Sequence, residues 1–218
     1  AQRPLELVEV DALTPDLHIC DADGVILGAP TIYAFIDVAT GRILAIDAYL
    51  QRPGTEPLMD ICLQAFFPKP ALADGTTLPW GVPESVLSDQ GAEFRSEFWT
   101  RLMLTLGANA VYAEGEAGWR KPHIERFFLT LQESLLWRLP GSTRSQIRDT
   151  TDPNLPTRTG ALTLGQLREV VQSFAYKTYA DIVSDRLSLK FRTPEMTPRK
   201  AWEQLVRDYP PTVPITRE

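Results

Sequence analysis

Ser88-Asp89-Gln90-Gly91-Ala92-Glu93-Phe94 and Arg120-Lys121-Pro122-His123-Ile124-Glu125-Arg126-Phe127-Phe128 decide how this chain reads. The first stretch puts an acid, Asp89, directly after Ser85 to Ser88, a short strand. The second puts Glu125 in the opening turn of a helix. Pro122 suits a first helical turn, where its missing N–H costs nothing. Ile124, Phe127, Phe128, Leu131 and Leu135 recur at helical spacing and form a core stripe, with Glu125 at its edge. Between positions 89 and 125 lie 35 residues. A third acid, Asp11, closes the apolar run Leu5-Glu6-Leu7-Val8-Glu9-Val10. Acids ending two strands, joined by one on a helix, can converge on divalent metal ions. Two such ions about 4 Å apart suit phosphodiester chemistry. Mg²⁺ takes oxygen ligands and keeps several waters, so a few carboxylates suffice.

Working outward, residues 5–11 read as a strand whose period-two alternation puts Glu9 and Asp11 on one face, Val8 and Val10 on the other. Residues 12–30, with Pro15, Gly24, Gly28 and Pro30, read as irregular. Thr31 to Val38 and Ile43 to Leu50 are β-rich runs joined by a short Gly-containing hairpin loop. Thr55 to Phe67 reads as a helix ended by Pro68 and Pro70. A second helix runs from about Ser96 to Leu106 and closes at Gly107. Asn109 to Ala113 is another strand, and residues 114–120, with two glycines, read as a mobile loop. The Pro122 helix extends to about Arg138, and 139–160 reads as a long loop. Thr163 and Gln166 form a capping box opening a further helix. Thr197-Pro198 starts a last short one. Hairpin-linked strands first and helix crossovers later imply a mixed sheet.

The chain has 218 residues, is 44% hydrophobic and carries a net charge of −6. That is ample for a core. No apolar run reaches the ~20 residues of a membrane span, and the N-terminus is not a signal sequence. The start without Met, almost directly in a strand, reads as a fragment of a longer protein. Cys20 and Cys62 sit in unrelated contexts, as buried thiols in a reducing compartment do. The acidic balance argues against a dedicated nucleic-acid-binding domain, but net charge does not locate local patches.

The two stretches, their spacing and the strand carrying Asp11 resemble the Asp, Asp, 35 residues, Glu signature of retroviral integrases and DDE transposases. The likeness covers roughly residues 5–138. Within that superfamily the chain is most similar to bacterial transposases of the phage Mu type. The long loop after the first strand, the Gly41-Arg42 hairpin and Ile124-Glu125-Arg126-Phe127-Phe128 carry that likeness. Thr193-Pro194 through Trp202 also resembles the family's C-terminal helix. The resemblance implies an α/β ribonuclease H-like fold, a mixed five-stranded sheet flanked by helices with extra C-terminal helices. It implies one catalytic core domain over 1–218: a core at about 5–138, the loop 139–160 and a helical extension 161–218, with flanking DNA-binding domains outside the fragment. Asp11, Asp89 and Glu125 would be the catalytic metal ligands, holding two Mg²⁺ or Mn²⁺ ions. The implied activity is hydrolysis at element 3′ ends followed by strand transfer into target DNA. Partners would be element-end and target DNA, further copies of the chain and accessory transposition proteins, in a bacterial cytoplasm and at the nucleoid when active. Two departures stand out: Gln90 replaces a frequent Asn, and Leu129 and Gln132 occupy places where retroviral members carry basic residues. A ribonuclease H-like nuclease or resolvase, hydrolysing only, is the alternative enzyme. An inactive DNA-binding or assembly module is the non-enzymatic one.

Other acids compete for these roles. Asp37 and Asp47 read as hairpin or sheet-surface acids. Glu9 shares a face with Asp11 and can support it from behind. Glu93 reads as an acid favouring the start of the following helix through its dipole. Arg120, Lys121 and Arg126 flank Glu125 and read as DNA phosphate contacts, which position without specifying sequence. Trp119 can stack on a base or wedge a duplex. Arg138, Arg144, Arg148 and Arg158 read equally as phosphate contacts or solvated charges. His123-Ile124-Glu125 lacks the P-C-x-x-C partner of zinc deaminases. Asp21-Ala22-Asp23-Gly24 lacks the closing Glu of a calcium loop and reads as a hairpin turn. Phosphate-binding and dinucleotide loops are absent.

Overall fold

The strand carrying Asp11, β1 (Val8–Leu13), lies at the centre of a five-stranded sheet. The computed structural model describes residues 1–50, 53–72, 74–113, 121–143 and 161–212. The remaining strands are β2 (Ile19–Cys20), β3 (Ile26–Gly28), β4 (Thr31–Asp37), β5 (Ile43–Tyr49), β6 (Ser85–Ser88) and β7 (Asn109–Tyr112). The main sheet runs in the order β5-β4-β1-β6-β7. β1 pairs antiparallel with β4, and β4 with β5, as hairpin-linked strands do. β6 lies parallel to β1, and β7 parallel to β6, because each is reached through a helix. This is the mixed five-stranded sheet the sequence predicts.

Helices cover both faces. On one side α1 (Thr55–Phe66) and α2 (Glu97–Leu106) pack against Val8, Val10, Tyr33 and Phe35. On the other α3 (Pro122–Ser134) and α4 (Leu164–Ser173) pack against Ile32, Ala34, Ile36 and Ile46. Alternate residues of β4 therefore feed two separate cores, so every residue of that strand is buried. Local signals end the helices where the sequence says. Ser96 accepts a hydrogen bond from the Trp99 N–H, and Gly107 closes α2 at φ 70°, a left-handed conformation that costs glycine little. Thr163 and Gln166 form the expected capping box.

Three expectations change. β1 begins at Val8 and runs two residues past Asp11. Residues 12–30 contain the β2–β3 hairpin, whose turn is held by Asp21 Oδ1, which accepts the N–H groups of Asp23 and Val25. The last helix, α6 (Pro198–Asp208), is longer than expected. It follows a π-helical turn at Phe174–Thr178 and α5 (Asp185–Phe191), neither of which the sequence pattern announces. The 114–120 loop and most of the 139–160 loop lie outside the described residues.

Candidate active site

Register brings the first two acids together. Glu9 of β1 pairs with Leu87 of β6 in a parallel ladder. Two residues further along the chain from that pair stand Asp11, within β1, and Asp89, directly after the end of β6. Neighbouring strands lie about 4.8 Å apart, so one cation can reach both carboxylates. The structure puts a cation there. Lys121 Nζ lies 2.8 Å from Asp11 Oδ1 and 3.9 Å from Asp89 Oδ2, and the lysine is buried. Burial pushes the Asp11 carboxyl above the usual range, while Lys121 opposes the shift. Asp89 is anchored by the Gly91 N–H, which donates to its Oδ1 at 2.9 Å. A Cβ on Gly91 would stand 2.9 Å from Glu93 Oε2 and 3.0 Å from Asp89 Oδ1. Glycine leaves room for both carboxylates over that turn, and a Cβ would make their ends shift.

Glu125 approaches from α3. Its N–H donates to the Lys121 carbonyl, so the two residues stand one turn apart on the same helix face. Glu125 is exposed, and its carboxyl is raised above the usual range by desolvation, with Asp11 and Glu9 adding repulsion and Lys121 opposing. Its charge is therefore felt within the same cluster. Among the described residues, no group of three or more acid, His or Cys side chains is drawn close enough to hold a metal as placed. The structure pairs Asp11 with Asp89 through Lys121 and sets Glu125 beside them.

Glu9 fixes where α3 begins. Its buried Oε2 accepts the backbone N–H of His123 at 3.0 Å and of Ile124 at 2.9 Å, and its Oε1 lies 2.8 Å from His123 Nδ1. The first N–H groups of a helix have no partner within it. Here a carboxylate from the adjacent strand supplies one, with favourable charge at the helix N-terminus. The Lys121 side chain offers α3 no cap of its own.

The other singled-out residues divide. Lys121, read from sequence as a DNA contact, is turned inward onto Asp11. Arg126 is exposed on α3. Trp119, Arg120 and the loop arginines 144, 148 and 158 lie outside the described residues. Glu93 does not stand at the α2 N-terminus, which Ser96 caps. Its Oε1 accepts the Tyr33 hydroxyl at 3.3 Å, and that hydroxyl accepts the Gly54 N–H. Asp37 is fully buried in the β4–β5 hairpin, where it accepts the N–H groups of Leu5 and Thr40 and the Thr40 hydroxyl. Asp47 is buried rather than on the sheet surface, and takes Gln64 and Arg168 as partners. Both acids belong to the scaffold. Sequence reasoning missed the inward lysine and the Glu9 cap. The only signal for the cap was the strand alternation that puts Glu9 beside Asp11.

The fold is shared with retroviral integrase cores. The catalytic core domain of HTLV-2 integrase, solved in complex with magnesium, superposes with a TM-score of 0.52 at 13% identity, covering 91% of this chain and 97% of that one. A chain of the simian T-cell lymphotropic virus intasome, solved in complex with the PP2A regulatory subunit B56 gamma, gives 0.57 at 14% identity, covering all of this chain and 60% of that one. These cores have the ribonuclease H-like fold, which this chain shares. The sequence pattern of the TnsB C-terminal domain matches residues 9–141, more than half of the chain, and the chain belongs to that family and through it to the DDE transposase and integrase superfamily. The transposase of transposon Tn552 from Staphylococcus aureus is 26% identical over 142 residues, 65% of this chain and 28% of the length of that transposase.

Proposed function

We propose that this chain is the catalytic core of a DNA transposase, which cuts element 3′ ends by hydrolysis and joins them to target DNA. The observation that carries this reading is the convergence of Asp11 in β1 and Asp89 after its parallel neighbour β6 on one ammonium, with Glu125 beside them on a helix fixed by Glu9. The Tn552 relative, itself a transposase, favours transposition over other integrase chemistry.

In this reading Asp11, Asp89 and Glu125 hold divalent ions, Mg²⁺ or Mn²⁺, two in the active complex. Their donor atoms are hard carboxylate oxygens of the kind these ions prefer. Asp11 and Asp89 already share one cation, the lysine ammonium, so the spacing suits a positive charge between them. Ions bound there would activate the attacking oxygen and stabilise the leaving one. Asp11 is held within a strand, Asp89 directly after the end of its neighbour and Glu125 on a helix, supports that keep ligands more precise than long loops do. Arg126 is proposed to contact DNA phosphates, with Arg120 and Trp119 beside it in sequence. A phosphate contact by Lys121 requires its ammonium to leave Asp11. Joining two element ends at one target calls for several subunits assembled on DNA.

The test is strand transfer of pre-nicked element ends by the full-length protein. Asp11→Asn, Asp89→Asn and Glu125→Gln each remove a ligand charge and preserve volume, and each should abolish joining while the protein stays folded. Normal strand transfer by Asp89→Asn would overturn the assignment.

A further inference from the structure

We propose that Lys121 is a built-in counter-cation of the acidic site, holding Asp11 and Asp89 together until a divalent ion takes its place. The inference rests on reading those two acids as metal ligands, and adds a role for a residue outside that set.

Three observations converge. First, the ammonium stands between the acids, 2.8 Å from Asp11 Oδ1 and 3.9 Å from Asp89 Oδ2, with the Val10 carbonyl 3.5 Å away as a third oxygen. Those are oxygens from β1 and from the end of β6, gathered around one positive charge. Second, Lys121 is only 6% exposed. A lysine buried to that degree is rare unless paired, because its charge loses hydration that only nearby anions can replace. Third, the lysine stands immediately before α3, where the helix dipole disfavours a cation. Its position makes electrostatic sense only through the carboxylates it meets. Glu9 fixes the α3 backbone two and three residues on, so the lysine stem is aimed at the acids by a neighbouring, independently anchored segment.

A divalent ion and this ammonium want the same oxygens and repel each other at contact distance. They cannot both sit between Asp11 and Asp89. Metal entry must therefore expel the ammonium, and the lysine must weaken metal binding while keeping the metal-free acids from repelling one another.

The experiment uses this 218-residue chain and its Lys121→Gln, Lys121→Arg and Asp11→Asn variants, each checked for cooperative melting. Mn²⁺ binding is read from the paramagnetic signal of the free ion. Lys121→Gln should bind Mn²⁺ tighter by on the order of tenfold, since a competing charge is gone. Lys121→Arg, which keeps that charge, should stay near wild type. In EDTA, Lys121→Gln should melt below wild type, and Mn²⁺ should recover the difference. A second readout needs no charge removal. The Lys121 ε-methylene NMR signal, assigned by its loss in Lys121→Arg, should shift as Mg²⁺ is added to wild type. If Asp11→Asn loses Mn²⁺ binding but Lys121→Gln binds no tighter, or the lysine signal does not move, the counter-cation role is wrong and the metal site stands. If wild type and Asp11→Asn bind Mn²⁺ alike, or neither binds, the metal-site reading fails and takes this inference with it.

Discussion

Replacing Glu9 tests whether β1 and α3 form one unit. Glu9 is buried and serves three groups: two backbone N–H groups at its Oε2 and His123 Nδ1 at its Oε1. Glu9→Gln keeps the shape and leaves one oxygen that can still accept both N–H groups. Each bond then changes from charge-assisted to neutral, a loss of about 1 kcal/mol apiece. Losing the negative charge at the helix N-terminus adds roughly 0.3–1 kcal/mol. The expected cost is about 2–3 kcal/mol. Glu9→Leu orphans both N–H groups, at about 1–3 kcal/mol each, for a cost of about 2–6 kcal/mol. Against a total stability on the order of 5–15 kcal/mol, the leucine variant should lose a large share of its stability. Urea denaturation followed by tryptophan fluorescence measures both, and the denaturant slope should stay unchanged, since the unfolded surface is the same. Stability of Glu9→Gln within about 0.5 kcal/mol of wild type would refute the reasoning, since ordinary surface changes fall in that range. Glu9 would then be a spectator of a helix held elsewhere.

Further expectations test the scaffold. Asp37→Asn presents an amide NH₂ to the Leu5 N–H or to the Thr40 N–H and hydroxyl, whichever way it turns. It should lower the urea midpoint by the equivalent of about 1–3 kcal/mol while leaving strand transfer by the folded enzyme intact. Lys69 donates to the Leu44 carbonyl, and sheltering from water pulls its pKa down to about 7, with nearby Arg42 adding to the shift. Between about pH 7 and the ordinary lysine range the unfolded chain binds more protons than the native one, so wild-type stability contains a term that rises with pH. Lys69→Met should remove that rise, a difference read by denaturation at pH 7 and 9.5, and equal slopes would discard the idea. Gly141 has φ +88°, and a Cβ there would stand 2.4 Å from the His18 carbonyl oxygen, a backbone atom with little freedom to yield. Gly141→Ala should cost about 1–3 kcal/mol by thermal melting.

What the sequence made legible was local or periodic. The β1 alternation placed Glu9 and Asp11 on one face because strand geometry has a period of two whatever the tertiary context. Ser96, Gly107, Thr163 and Thr197 marked helix ends because capping is a bond between near neighbours. The turn of the β2–β3 hairpin was legible at Asp21-Ala22-Asp23-Gly24, but its strands were not, since two and three residues leave no period to read. Nor was α5, seven residues long, although Ser184 caps it. Asp47 was misread because alternation assigns a face and cannot say what covers it. Here Gln64 of α1 and Arg168 of α4 close over the acid. The inward pairing of Lys121 was not legible for the same reason. Its neighbours in sequence are basic or exposed, while its partners come from positions 11 and 89.

That pairing bears on the net charge of −6, which at first counts against a DNA-handling role. Glu9, Asp11, Asp89, Glu93 and Glu125 all gather at one end of the sheet, and among the described residues Lys121 is the cation held against Asp11 and Asp89. Two of these acids already have structural work. Glu9 serves the α3 backbone, and Glu93 takes the Tyr33 hydroxyl. The remaining three exceed what one ammonium neutralises. A phosphodiester brought to such a place meets repulsion, at short range where salt screens little. Additional positive charge must accompany it. Under the proposed function that charge is divalent metal, so the acidity that disfavours DNA in the bare protein is what makes DNA engagement conditional on the ions.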